Sequence, residues 1–264
     1  MTAVAANSAI LLRADAGGVA TLTMNRPEAR NALSLGLMAA LQGEIDAIAA
    51  DPAVRVVVIA AAGPAFSAGH DLRELRADRS EAACESLFAA CSALMLSIVR
   101  LPKPVIARVQ GIATAAGCQM VASCDLAVAA DAARFATPGV NIGLFCSTPM
   151  VALGRNVGRK QAMAMLLTGE PIDAATACAW GLVNKVVPAA GLDAAVQVYT
   201  DAIVAKSALT VAIGKEAFYR QAEMDLEDAY AYTSAVMTRN MLTDDAAEGI
   251  DAFIARRAPV WRNR

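Results

Sequence analysis

Val56-Val57-Val58-Ile59-Ala60 and, two residues later, Gly63-Pro64-Ala65-Phe66-Ser67-Ala68-Gly69-His70-Asp71-Leu72-Arg73-Glu74 decide the architecture of this chain. The first five residues are apolar without alternation, as in a strand buried on both faces. The small residues and glycines that follow let main-chain N–H groups turn toward a ligand. The pattern recurs downstream. A strand over Pro104–Val109 leads into Gly111-Ile112-Ala113-Thr114-Ala115-Ala116-Gly117-Cys118-Gln119, which opens a helix. Two strand-to-loop junctions with free amides can form a two-donor oxyanion hole, suited to a thioester carbonyl becoming an enolate.

Working outward, residues 9–13 and 19–24 read as a hairpin with its turn at Asp15-Ala16-Gly17-Gly18. Ser34 reads as the N-cap of a helix over 35–50, and residues 80–100 as an amphipathic helix ended by Leu101-Pro102-Lys103-Pro104. A helix is expected over 116–123 and a short strand over 125–129. After that the chain is helical: about 148–156, 159–167, 173–180, 191–205, 208–222, 225–239 and 243–256. Alternating strands and helices followed by helices alone predict an α/β architecture with mostly parallel pairing. Residues 1–190 are expected to form the core that carries the site. Residues 191–264 are expected to be a helical extension used in oligomer contacts.

The 264 residues are 57% hydrophobic, enough for a sizeable core. Net charge is −2 with no basic run, which argues against a nucleic-acid partner. No membrane span is expected, and residues 1–10 show neither a basic n-region nor an arginine-rich leader. The six cysteines contain no CxxC pair and read as buried free thiols in a reducing cytoplasm. His70 is the only histidine, so neither a zinc site nor a Ser-His-Asp triad has support from spacing. There is no P-loop and no GxGxxG.

Several segments in order resemble the crotonase superfamily, the enoyl-CoA hydratase/isomerase group. They are Asn25-Arg26-Pro27 with Asn31-Ala32-Leu33, Ala65 to Leu72, Gly111 to Gln119, Cys124-Asp125-Leu126, Phe135-Ala136-Thr137-Pro138, Leu167-Thr168-Gly169-Glu170 and Gly181-Leu182-Val183. Gly143 to Pro149 and Arg257-Ala258-Pro259-Val260-Trp261 resemble one branch, the enoyl-CoA hydratase domain-containing protein 3 type. The resemblance implies a spiral of ββα turns with a C-terminal helical extension, a homotrimer or dimer of trimers, and acyl-CoA ligands. Coenzyme A would enter as part of the substrate, with no permanently bound cofactor. The resemblance puts the oxyanion donors on the backbone N–H of His70 and Ala116, and Ala68, Gly69, Asp71, Leu72 and Arg73 beside the CoA. Ala29 and Arg30 would flank the CoA on the other side, with Gly117 at the second oxyanion segment. Lys215 and Phe218 would complete a neighbour's CoA site.

The chain departs from the hydratase pattern at two positions. The glutamates that such enzymes use for proton transfer fall on Gln119 and Gly139. An amide does not titrate near neutral pH, and glycine offers only backbone. Losing one general acid or base costs about 10²–10⁴ in rate. Glu74, His70 and Cys146 are the substitutes to consider, although Glu74 also reads as a solvated helix position and Asp71 as the cap of a short helix. His70 has the one side chain with an ordinary pKa near neutrality, about 6.5. Its other reading is a local loop hydrogen bond. Gln119 and Asn141 could bond a polar substrate group, and Arg30 and Arg73 could pair with CoA phosphates. Two functions stay open: an acyl-CoA enzyme working through an oxyanion hole, and a non-catalytic acyl-CoA-binding protein on the same scaffold.

Overall fold

The computed structural model describes residues 9–264, so most of the N-terminal stretch read for a leader lies outside the described residues. Strands β1 (Leu11–Ala16) and β2 (Val19–Met24) form the hairpin. Its turn is Gly17-Gly18 alone, at φ +57° and +82°, the left-handed pair a two-residue hairpin needs. The first strand therefore runs on to Ala16, three residues beyond the expected end.

Helix α1 (Leu35–Ala50) begins at Ser34, whose hydroxyl accepts from Leu37 N–H at 3.2 Å. The apolar run becomes β3 (Val56–Ala61), buried at every residue. After it come β4 (Ala65–Ser67), α2 (Leu72–Ala77) and α3 (Glu81–Arg100). The second turn is β5 (Val105–Val109), β6 (Ile112–Thr114) and α4 (Ala116–Ser123). The third is β7 (Leu126–Ala130), β8 (Arg134–Ala136), a 3₁₀ turn over Pro138–Ile142 and α5 (Pro149–Asn156). Then α6 (Arg159–Thr168), β9 (Ile172–Asp173), α7 (Ala174–Ala179) and β10 (Lys185–Val187) follow.

The long strands make one sheet in the order β1-β2-β3-β5-β7-β10, parallel except for the hairpin. The short strands make a second sheet, β4-β6-β8-β9. Its strands do not show in the residue pattern, because two- and three-residue strands carry no periodicity, and only the ββα spiral implied by the resemblance anticipates them. Each of three successive turns thus supplies one long strand, one short strand and a helix.

The long sheet buries both faces. Val57, Ile59, Ala107 and Ala129 face the main core with α1, α3 and α4, while Val56, Val58, Ile106 and Val128 face the other way. That second face is covered by Leu192, Ala195 and Val196 of α8 (Leu192–Val204). Helix α8, which begins just past the expected boundary at 190, thus packs on the sheet itself. Helix α3 is long and apolar enough to cross a membrane by length and composition. In this fold its Leu87, Cys91, Leu94, Met95 and Ile98 are packed into the main core.

The extension is α9 (Ala208–Gln221), α10 (Leu226–Met241) and α11 (Asp244–Ile254). Buried Asp245 gathers its start and its last residues. It accepts from Ser207 Oγ at 2.5 Å, Arg262 N at 2.6 Å and Asn263 N at 2.9 Å. Burial alone would raise the Asp245 pKa, but these donors outweigh it and hold the carboxyl below its ordinary value. Trp261 donates to Ala205 O, so part of the Arg257–Trp261 motif serves to seat the C-terminal segment. All six cysteines are free; Cys84 and Cys178 are half-buried rather than buried.

Candidate active site

Asn31 organises the first half of the site. It is fully buried at φ +51°, and its amide donates to Ala62 O at 2.8 Å and Ala65 O at 2.9 Å while accepting from Arg26 N. Ser67 Oγ donates to Asn31 O, Ala68 N to Arg30 O and Leu33 N to Gly69 O. These bonds lay residues 26–33 along residues 62–71. Arg30 therefore comes beside Ala68, and Leu33 beside Gly69 and Asp71. Sequence reading quoted Asn31 as part of a motif but missed this role.

The second half docks through glycines. A Cβ on Gly69, at φ +87°, would lie 2.9 Å from Ala115 Cβ and 3.3 Å from Ala116 N. One on Gly117 would overlap the Ser67 carbonyl and stand 2.8 Å from Ser67 Cβ. The two loops thus touch backbone to backbone. Ala115, the residue before α4, sits at φ +49°, ψ −119°, and its N–H donates to Ala136 O. Such a conformation in a non-glycine residue costs about 1–3 kcal/mol and persists only where the surroundings enforce it. It leaves Ala116 as the first residue of α4, where a helix has no internal acceptor for its N–H. Among the described residues neither Ala116 N–H nor His70 N–H has a hydrogen-bond partner.

The side chains around these amides are mostly neutral. The His70 ring packs edge-on against Phe88, centroids 5.5 Å apart, with Nε2 buried and unpartnered. Burial lowers its pKa, so the imidazole is uncharged at neutral pH. Gln119 is 5% exposed and its Oε1 has no partner; buried Thr137 Oγ1, which sequence reading passed over, has none either. Position 139 is closed. A Cβ there would stand 2.7 Å from Leu144 O and 2.9 Å from Cys146 Sγ. Burial raises the pKa of the Cys146 thiol, which removes Cys146 as a ready nucleophile.

Three expected roles are corrected or fixed by geometry. Glu74 Oε2 accepts from Leu35 N at 2.9 Å and so ties α2 to the start of α1. Asp71 caps α2 by accepting from Arg73 N and pairs with Arg26 at 3.1 Å. Lys215 is not available to a neighbour. Its Nζ is buried and donates to Asp125 Oδ2 at 2.7 Å and to Ile98 O and Lys103 O at 3.0 Å, and Tyr219 donates to the same aspartate. Phe218 is exposed. Arg30, Leu72 and Arg73 are exposed, and neither arginine forms an ion pair among the described residues. A cleft of about 570 Å³ lies elsewhere, between β2–β3 and α8 with Arg108 and Asp193 at its wall, on the face of the sheet away from these loops.

Two sheets wound by repeated ββα turns, followed by a helical extension, make the crotonase fold. The chain belongs to the enoyl-CoA hydratase/isomerase family, whose model matches residues 14–264. It is 51% identical over 244 residues to the Xenopus laevis protein named enoyl-CoA hydratase domain-containing protein 3, mitochondrial, covering 92% of this chain and 83% of that one. The Homo sapiens protein of that name is 48% identical, with 92% and 80% covered. A solved enoyl-CoA hydratase from Mycobacterium smegmatis superposes with TM-score 0.94 at 55% identity, covering 96% of this chain and 99% of the other. The human enoyl-CoA hydratase domain-containing protein 3 structure gives 0.93 at 46%, covering 96% and 100%.

Proposed function

We propose that this chain binds an acyl-CoA and stabilises negative charge on its thioester oxygen through the main-chain N–H groups of His70 and Ala116. The observation that carries this is the pair of unpartnered amides on loops locked together at Gly69 and Gly117. Such donors, fixed before the reaction, are worth about 2.7–4 kcal/mol each to an oxyanion. Ala29, Arg30, Ala68, Leu72 and Arg73 line the CoA, with the two free arginines meeting its phosphates. Coenzyme A arrives as part of the substrate, and no permanent cofactor is called for.

Hydration needs more than this hole. A base must take a proton from water and an acid must protonate the α-carbon, and Gln119 and Gly139 supply neither. The enzyme reading therefore favours thioester chemistry in which the oxyanion is stabilised without a carboxylate pair. A second reading, acyl-CoA binding without turnover, is favoured by the closure of position 139. A homotrimer or dimer of trimers is proposed from the exposed Leu226, Tyr230, Phe253 and Ile254 of α10 and α11. The test is crotonyl-CoA turnover, followed by loss of the enoyl thioester absorbance, beside calorimetric titration with acyl-CoA and free CoA. Tight acyl-CoA binding with little hydration supports the proposal. Rapid hydration overturns the role given to positions 119 and 139, and absence of binding overturns the acyl-CoA reading itself.

A further inference from the structure

Position 139 is not merely short of a side chain; it has no room for one. The obstacle is main chain as well as side chain, since Leu144 O lies 2.7 Å and Cys146 N 3.3 Å from where a Cβ would sit. The segment that blocks it is held in place. Leu144 N donates to Gly139 O at 2.9 Å, Ser147 N to Phe145 O, and Met150 N to Cys146 O as α5 begins. Cys146 is 7% exposed while its neighbours Leu144 and Phe145 are 53% and 42% exposed, so the loop turns its sulfur inward. The sulfur faces Gly139 on one side. Cys146 and Cys118 of α4 belong to the same core cluster. Cys118 directly precedes Gln119, whose buried Oε1 has no partner. A buried acceptor without a donor marks a place where water or a ligand group belongs.

We propose that Cys146 forms the wall of the acyl pocket between Gly139 and Gln119, filling the space a side chain at 139 would take, and so determines which acyl groups fit. This rests on the acyl-CoA reading above. A compact, protonated thiol at that point presents an apolar, polarisable surface to the first carbons of the acyl chain. The size of residue 146 then controls acyl binding and leaves the CoA portion untouched, because the CoA portion lies against residues 29–30 and 68–73.

The test compares dissociation constants of free CoA, acetyl-CoA, butyryl-CoA and octanoyl-CoA for the full chain and for Cys146→Leu and Cys146→Ser. Cys146→Leu is expected to weaken the longer acyl-CoAs by about tenfold or more while free CoA is unchanged. Cys146→Ser, nearly the same size, is expected to keep the order of preference. Equal shifts for free and acylated CoA in Cys146→Leu overturn the proposal. If the original chain binds none of the four, the acyl-CoA reading has failed first, which is a distinct result. Should Cys146→Leu not fold, Cys146→Ala still decides: the smaller residue is expected to strengthen octanoyl-CoA relative to acetyl-CoA while free CoA is unchanged, and an unchanged order of preference overturns the proposal.

Discussion

Replacing Gly117 by alanine tests the claim that backbone contact holds the two amides in position. Gly117 needs no special φ, so the perturbation is steric alone. The added methyl would stand 2.8 Å from Ser67 Cβ, where ordinary contact begins near 3.4 Å, so α4 and the Ser67 strand must part by about 0.6 Å or more. Overpacking of this kind costs about 1–3 kcal/mol. For a chain of this length that lowers Tm by about 2–12 °C. The functional effect should exceed the structural one. Ala116 N–H is on the adjacent residue, and a displacement approaching 1 Å costs about 10²-fold at a reacting centre. The direct assay is vibrational and needs no turnover: the C=O stretch of a ¹³C-labelled acyl-CoA, free and bound. Two hydrogen bonds polarise the carbonyl and lower its frequency in the unaltered protein, and Gly117→Ala is expected to lose much of that shift while retaining CoA binding. A Gly117→Ala protein with unchanged Tm and an unchanged carbonyl shift would refute the reasoning.

Restoring both carboxylates by Gln119→Glu with Gly139→Glu is expected not to create an efficient crotonyl-CoA hydratase, because the second change forces the Leu144–Cys146 backbone aside; hydration and Tm of the double variant check this. Lys215→Met leaves the Asp125 carboxylate without its cation, which should cost about 3–5 kcal/mol in urea unfolding. Asp245 has a depressed pKa in the folded chain, so its contribution is present above its ordinary value of 3.8 and is lost as pH falls through the folded value. Glu248 behaves alike, held to about 2 first by Arg257 and then by Val260 N–H. Urea midpoints from pH 6 to pH 3 should therefore fall less steeply in Asp245→Asn than in the unaltered chain. The His70 pKa lies below its ordinary 6.5, so the carbonyl shift should not change between pH 7 and 8, and His70→Ala should retain it because the donor is main chain.

What could be read in the sequence follows from what sequence encodes locally. Caps at Ser34 and Asp71 and long apolar runs such as Val56–Ala61 announce their elements in a few neighbouring residues. The short sheet is invisible because its strands are too brief for a period, and they exist only as partners of one another. Gln119 and Gly139 could be located by resemblance, but not the filling of position 139, which comes from a loop five to seven residues on. Glu74 looked available because its acceptor role is satisfied by Leu35, 39 residues away. Lys215 looked like a ligand for a neighbour for the same reason, its partners lying 90 or more residues back. The role of α8 depends on which face of the long sheet it covers, and β-strand alternation alone does not name the covering helix.

The oxyanion donors proposed above are written entirely in main chain. Gly69, Ala115, Ala116 and Gly117 carry at most a methyl group each, and one of the two proposed donors is already alanine. A survey that truncates side chains one at a time would pass over them and report a surface with no chemistry. It would instead flag Asn31, Lys215 and Asp245, whose loss disturbs folding. In this chain the map of sensitive side chains and the map of reactive positions need not coincide, and enlarging the small residues is the way to find the second.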